Sequence, residues 1–428
     1  MNTFEKYRQF MITEFLGAIE PIVVAGGDGA TLTDEAGRKY VDAFAGIAVC
    51  NAGHCNPEIA AAAHAQLDKL VHCGTYLYPH APAADLAESL ARILPGRLNK
   101  TFFASSGAEA NETAIRLAKQ FTGATEFLAL HGAFHGRSLA TLSLSGLASR
   151  KRGGGPYMPG VAFAPAPYCY RCALDLKPET CGLACAEMIE DILRCATSGD
   201  AAALIAEPIQ GEGGIIAPPK GYFSAVKQIL DRRGLLLILD EVQTGFCRTG
   251  AMFAMEHEGI EPDMITLGKG IANGLPLSAM VTRREIAAAF KAGDHLSTFG
   301  GNPVCCAAAL AAIGFYQRER LAERSREKGE WLAAELRRRL EADRRVGEIR
   351  GRGLMIGIEL VKDLSKAPAP ELAGKVRALC RESGVLVGIG GIFGNVIRIE
   401  PPLVIGDDQL AQVADALCAA LSKTGEGL

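Results

Sequence analysis

Apolar residues recur along this chain in two alternating rhythms. Short runs rich in leucine, isoleucine, phenylalanine and alanine predict strands at Thr101–Ala104, Glu126–Leu130, Ala203–Ala206 and Leu235–Leu239. Between them lie longer alanine-rich stretches whose apolar positions return every three or four residues. These predict helices at Ala83–Ile93, Ala108–Phe121, Phe223–Arg232 and Val304–Arg318. Strands alternating with helices of this length are the pattern of an α/β protein with a mainly parallel sheet.

The rhythm changes towards the C-terminus. Leu321–Leu340 alternates glutamate with arginine around an apolar stripe and predicts a helix with one solvated face. Strand-like Met355–Leu360 and Val396–Glu400 then alternate with helical Glu371–Glu382 and Asp408–Leu421. The start of the chain holds strand-like Ile22–Ala25, Thr31–Asp34 and Tyr40–Asp42, joined by glycine-rich turns. The expected organisation is an N-terminal segment (1–60), a large domain (61–305) and a smaller α+β domain (306–428) against which the N-terminal segment packs.

Composition narrows the possibilities. With 428 residues, a net charge of −3 and 22% charged residues, the chain resembles an ordinary folded enzyme in its bulk properties. It lacks the basic excess that nucleic-acid or anionic-membrane partners need. No window approaches the roughly 20 apolar residues of a membrane span, and Met1–Phe10 does not read as a secretory signal. The expectation is a soluble, cytoplasmic protein with no nucleic-acid and no membrane partner, its thirteen cysteines reduced.

Three strings carry candidate chemistry. In L-L-L-I-L-D-E-V-Q-T-G-F, an apolar strand ends in Asp240 and Glu241. An acid buried at a strand end is costly unless paired, and strand ends are where α/β sheets place ligands. The bland alternative is an acid capping the next helix. In M-I-T-L-G-K-G-I-A-N-G-L-P, Lys269 lies between two glycines after another apolar strand. Glycines permit close approach and unusual backbone angles, and a lysine moved out of water becomes a better Schiff-base nucleophile. In F-F-A-S-S-G-A-E-A-N-E-T-A, Ser106, Gly107 and Ala108 fall at a helix N-terminus, where free N–H groups attract an anion such as phosphate. A lysine, an acid and a phosphate cradle are the set that pyridoxal phosphate requires.

Together with E-P-I-Q-G-E-G-G and S-T-F-G-G-N-P, these strings resemble the class III (omega) aminotransferases over nearly the whole chain. That family includes 4-aminobutyrate, ornithine and alanine–glyoxylate aminotransferases. The resemblance implies the fold-type-I architecture of pyridoxal-phosphate (PLP) enzymes and a homodimer with shared active sites. It assigns Lys269 to carry the cofactor and move the substrate proton, and Asp240 to keep the pyridine nitrogen protonated. Val242 and Phe134 would pack on the two ring faces, with His135 in the same H-G-A-F-H-G-R string. Gln243 would bond the ring hydroxyl with Glu207 nearby. Ser106, Gly107 and Ala108 would bind the phosphate, joined by Thr298 of the neighbouring subunit. Arg398 would hold the α-carboxylate of a 2-oxo acid, and Glu212 would neutralise that arginine when an ω-amino donor is bound. Arg137 matches a position that holds a distal carboxylate in some members. The implied reaction moves an amino group from an ω-amino acid or amine to 2-oxoglutarate, pyruvate or glyoxylate by a ping-pong mechanism.

Rivals are weighed on the same residues. A lyase, aminomutase or racemase of the family would share the cofactor, but would not need Glu212 opposite Arg398 to admit a second substrate class. A nicotinamide dehydrogenase would rest on G-R-G-L-M-I-G at Gly351–Gly357, whose glycines precede a strand where the dinucleotide motif has them follow one. One feature lies outside this scheme. Cys169, Cys172, Cys181 and Cys185 fall in one short segment, C-x-x-C then C-x-x-x-C, a spacing suited to structural zinc or an iron–sulfur cluster. The alternative is a loop of free thiols, or a disulfide formed on oxidation.

Overall fold

The structure is a computed structural model and describes residues 1–15 and 19–425. Strands β1 (Val24–Asp28), β2 (Thr31–Asp34) and β3 (Lys39–Asp42) form an antiparallel meander near the N-terminus. The central sheet follows, built from β4 (Lys100–Ala104), β5 (Glu126–Leu130), β6 (Val161–Ala164), β7 (Ala201–Ala206), β8 (Leu236–Asp240), β9 (Met264–Leu267) and β10 (Ser278–Thr282). Its order is β4-β10-β9-β8-β7-β5-β6; the pairs from β9 through β6 are parallel, and β10 runs antiparallel to both neighbours. Strands β7, β8 and β9 are buried almost throughout, which matches their unbroken apolar character: sheets covered by helices on both faces do not alternate.

A second sheet assembles from the C-terminal third, with β11 (Val346–Arg352), β12 (Met355–Leu360), β13 (Val385–Leu386), β14 (Gly388–Gly390) and β15 (Val396–Ile399). Here β11-β12-β15-β14 is antiparallel, while β13 leaves it to pair in parallel with β3. The N-terminal meander is thereby stitched to the C-terminal part through Val385–Val41 and Leu386–Asp42.

The predicted helices form with small boundary differences: Ala81–Ile93, Gly107–Thr122, Tyr222–Arg233 and Pro303–Arg318 around the central sheet, Leu321–Leu340 and Pro370–Glu382 beyond it. Their caps explain the extra residues. Ser106 accepts from the Glu109 N–H and sets the start of Gly107–Thr122, and Gly123 in a left-handed conformation ends it. Asn302 with Pro303 does the same for Pro303–Arg318. No helix of the described residues is long and apolar enough to cross a membrane.

Candidate active site

The chemistry-bearing residues converge at the C-terminal ends of the parallel strands, around a cavity of about 310 Å³. One wall is the start of Gly107–Thr122, with Ser106, Gly107 and Ala108. Another carries Phe134, His135 and Glu207 from the ends of β5 and β7; Asp240, Val242 and Gln243 follow β8, and Lys269 follows β9. Glu212 closes one side. Eleven residues from distant stretches of the sequence thus face one space.

Asp240 is 4% exposed and fully engaged. Its Oδ2 accepts from His135 Nδ1 and from Asn111 Nδ2, each at 2.8 Å, and its Oδ1 accepts from the Val242 N–H at 3.1 Å. With a carboxylate as its partner, His135 carries its proton on Nδ1, and its buried Nε2 has no partner. Asn111 is held in turn by Thr266 Oγ1, which donates to its Oδ1 at 2.7 Å. Glu241, the second acid of the string, turns away from the cavity and accepts from Thr244 Oγ1 and the N–H groups of Ala254 and Met255. Glu207 also bridges backbone, accepting from the N–H groups of Phe134 and Gly211 at 2.9 Å each, and burial pushes its carboxyl up to about 7.

Lys269 forms no ion pair among the described residues, and burial lowers its affinity for a proton below that of an ordinary lysine. Its own backbone is left-handed, with φ 44°. The flanking glycines therefore serve close packing more than unusual angles. A Cβ on Gly270 would lie 2.6 Å from Asn51 Nδ2, and one on Gly268 would lie 3.1 Å from Val242 Cγ1. A strained lysine in a packed shell is the arrangement expected where function overrides local preference.

Arg398 is 1% exposed and sits between two carboxylates. Its Nη1 donates to Glu212 Oε1 at 2.5 Å; its Nη2 lies 2.8 Å from Glu400 Oε2 and donates to Gln243 Oε1 at 3.0 Å. Burial alone would raise the Glu212 carboxyl, but the charge and hydrogen bond of Arg398, together with the charges of Lys269 and Arg150, more than offset this and hold it low. Sequence reasoning missed Glu400 and Asn111. Glu400 stands two residues after Arg398 on one face of an otherwise apolar strand end, and Asn111 shares a buried helix face with Ala114, Ile115 and Ala118. A polar residue on a buried face was the available signal in both cases.

The chain matches the model of the family described as aminotransferase class-III over residues 17–421. The chain belongs to the class III aminotransferases. It is 41% identical to an acetylornithine aminotransferase from Methanopyrus kandleri over 98% of its length and 97% of that protein. It is 40% identical to a 4-aminobutyrate aminotransferase from Mycobacterium tuberculosis, over 97% and 94% of the two chains. Among solved structures it superposes with a TM-score of 0.92 on an amine transaminase from an uncultivated Pseudomonas species in its PLP-bound form, at 33% identity over 97% and 98% of the chains. This class III aminotransferase is an enzyme that uses pyridoxal phosphate. The residues fit that group: a buried, donor-ringed carboxylate, an unpaired lysine and a helix N-terminus share one cavity.

Three expectations fall outside the cavity. Thr298, expected to serve the neighbouring subunit's site, lines a separate space with Phe102, Phe299 and Ser105, the last of which also lines the cavity. Arg137 is exposed, its guanidinium 5.6 Å from the Phe134 ring centre, and is not among the cavity walls. The expected zinc or iron–sulfur site is corrected: among the described residues no group of three or more cysteines, histidines or acids is gathered so as to hold a metal. Cys169, Cys172, Cys181 and Cys185 instead line an apolar crevice with Pro165, Pro167, Leu174 and Leu176, and all four are free thiols. Burial raises Cys169 and pushes Cys185 up to about 11, so these sulfurs pack as small hydrophobes. The segment is anchored by its other side chains, Tyr168 and Arg171, which both bond the buried Glu359.

Proposed function

We propose that this aminotransferase takes an amino group from an ω-amino acid or amine and passes it to a 2-oxo acid such as 2-oxoglutarate, pyruvate or glyoxylate, in two half-reactions at one site. The observation that carries this reading is the Glu212–Arg398 ion pair at the cavity edge. An arginine open to solvent would select α-carboxylates only; one neutralised by a movable glutamate accepts a substrate with no carboxylate there, then a second substrate that displaces the glutamate.

Bound pyridoxal phosphate supplies the electron sink and carries the amino group between the two substrates. The chain does the rest. Lys269 Nζ would hold the cofactor and would move the proton at the substrate Cα; its lowered proton affinity suits a base. Asp240, pinned by His135 and Asn111, holds a proton on the pyridine nitrogen. The N–H groups at Ser106–Ala108 would receive the phosphate, and Val242 and Phe134, which line the same cavity, would flank the ring. Gln243 and Glu207 serve the ring hydroxyl side, and Arg137 stands at the approach for a distal carboxylate.

The functional unit is a homodimer in this reading. Thr298 stands with exposed Leu296 and Phe299, 60% and 66% accessible, where a second copy would cover them and receive the threonine. A cytoplasmic location is supported by thirteen cysteines that are all free. The test is the visible absorbance of the purified holoenzyme. Single amino donors should bleach the band of the lysine-bound cofactor, and a 2-oxo acid should restore it. A band that shifts but never bleaches across a donor panel would replace transamination by a lyase or racemase.

A further inference from the structure

The ion pair at the cavity edge belongs to a longer row. Arg150 Nη2 lies 3.2 Å from Glu212 Oε2, the oxygen that Arg398 leaves free. From mouth to interior, charges alternate as Arg150, Glu212, Arg398 and Glu400, with side chains 40%, 17%, 1% and 0% exposed. Glu212 therefore already touches an outer cation while it neutralises the inner one.

Its backbone cannot move to make room for a substrate. The Glu212 carbonyl accepts from the Gly391 N–H at 3.0 Å, the Gly214 N–H bonds the Gly211 carbonyl, and Arg350 clamps the carbonyls of Gly214 and Ile215. The side chain is left to turn, and among the described residues the cation paired with its outer oxygen is Arg150. The segment carrying Arg150 is itself pinned beside the cavity: the Gly146 N–H donates to the Ala133 carbonyl at 2.8 Å, and a Cβ on Gly146 would lie 2.3 Å from the Leu130 carbonyl.

We infer that Arg150 is a positioning residue that receives the Glu212 carboxylate when an α-carboxylate takes its place on Arg398. This rests on the proposed two-substrate reading and adds to it what sets the balance between the substrate classes. Without an outer partner, a displaced Glu212 would face the incoming carboxylate uncompensated. With Arg150 it gives up one guanidinium but keeps the other, and the α-carboxylate class binds more readily.

The test uses holoenzyme carrying Arg150→Gln and half-reactions followed by visible absorbance, with L-alanine and pyruvate as α-carboxylate probes and a carboxylate-free amine as the other. An exposed pair of this kind changes affinity by up to about fivefold. The expected result is a rise of about that size in the half-saturating concentration of L-alanine and pyruvate, with the limiting rate and the amine half-reaction unchanged. Arg150→Lys should restore part of the loss. Equal changes for both probe classes, or none, would overturn the inference. So would a loss confined to 2-oxoglutarate and glutamate, which would make Arg150 a reader of the distal carboxylate. A wild-type enzyme that reacts with only one class would instead refute the two-substrate reading itself.

Discussion

Replacing Asn111 by leucine tests whether Asp240 is held by a buried network or by its strand alone. Asn111 Nδ2 donates to Asp240 Oδ2 and to the His135 carbonyl at 2.8 Å each, and its Oδ1 accepts from Thr266 Oγ1 at 2.7 Å. Leucine has the same branched shape and number of side-chain heavy atoms but bulkier methyl groups, so the change removes three hydrogen bonds without opening a cavity and adds some overpacking at a site 1% exposed. Asp240 keeps His135 and the Val242 N–H, whereas the His135 carbonyl and the Thr266 hydroxyl lose a partner where residues are 2% and 0% exposed. At roughly 1–3 kcal/mol for each buried group left unpaired, the expected destabilisation is about 3–5 kcal/mol. Thr266→Val, which orphans only Asn111 Oδ1, should cost about a third of that. The assay is urea unfolding of cofactor-free protein, so that bound ligand does not stabilise the native state. Turnover of the loaded variant should fall as well, because the acid loses one of its two side-chain donors. An unfolding midpoint and a turnover both equal to wild type would refute the network as the support of Asp240.

Two of the remaining predictions follow from burial and one from the lysine. Lys269→Ala should retain the fold and bind cofactor only reversibly, with turnover reduced by orders of magnitude; near-wild-type activity would remove Lys269 from the mechanism. Burial pushes Glu241 from its ordinary 4.5 up to about 7. The protonated form is thus favoured by folding, and its contribution, present below pH 4.5, is lost as pH rises through about 7. At about 1.4 kcal/mol per tenfold step in proton affinity, that interval is worth about 3 kcal/mol. Urea midpoints should fall between pH 5 and pH 8, less steeply in Glu241→Gln; a midpoint that rises over this window would contradict the assignment. Chelators should leave melting behaviour and metal content unchanged, and stoichiometric zinc or iron whose removal destabilises the protein would reverse the correction at the cysteine segment.

The parts of the site that were legible in sequence are those where local pattern and chemistry conflict. Asp240 and Lys269 stand out because charged residues follow apolar strands, and Ser106–Ala108 because a small-residue turn opens a helix. The helices that were predicted form to within a few residues, whereas Pro57–Leu67 and Ala184–Cys195 were not predicted. Strands β6, β10, β11, β13 and β14 were not: β6 and β11 are edge strands with partial burial, β10 is a short run with Ser278 and Thr282 at its ends, and the other two have two and three residues. Arg150 gave no signal, since a basic residue in S-R-K-R-G-G-G reads as a solvated turn until its partner 62 residues away is located.

The division of labour within the fold explains why some contacts were readable and others not. The catalytic lysine, the acid and the phosphate cradle are placed by three elements of one sheet, whose register fixes their separation: β8 pairs with β9 so that Asp240 faces Thr266, and Gly107 packs against Val242 just beyond. Arg398 comes from the other sheet, where β15 pairs with β12 and β14. It meets Glu212 only because the segment after β7 is clamped by Arg350 of β11 and by Gly391 after β14. The lysine, the acid and the helix N-terminus thus rest on one mainly parallel sheet, and the Glu212–Arg398 pair proposed to select the substrate lies at the joint between two sheets. In the proposed reading, a single side-chain rotation at that joint, Glu212 turning from Arg398 towards Arg150, would admit or exclude an α-carboxylate without moving Asp240 or Lys269.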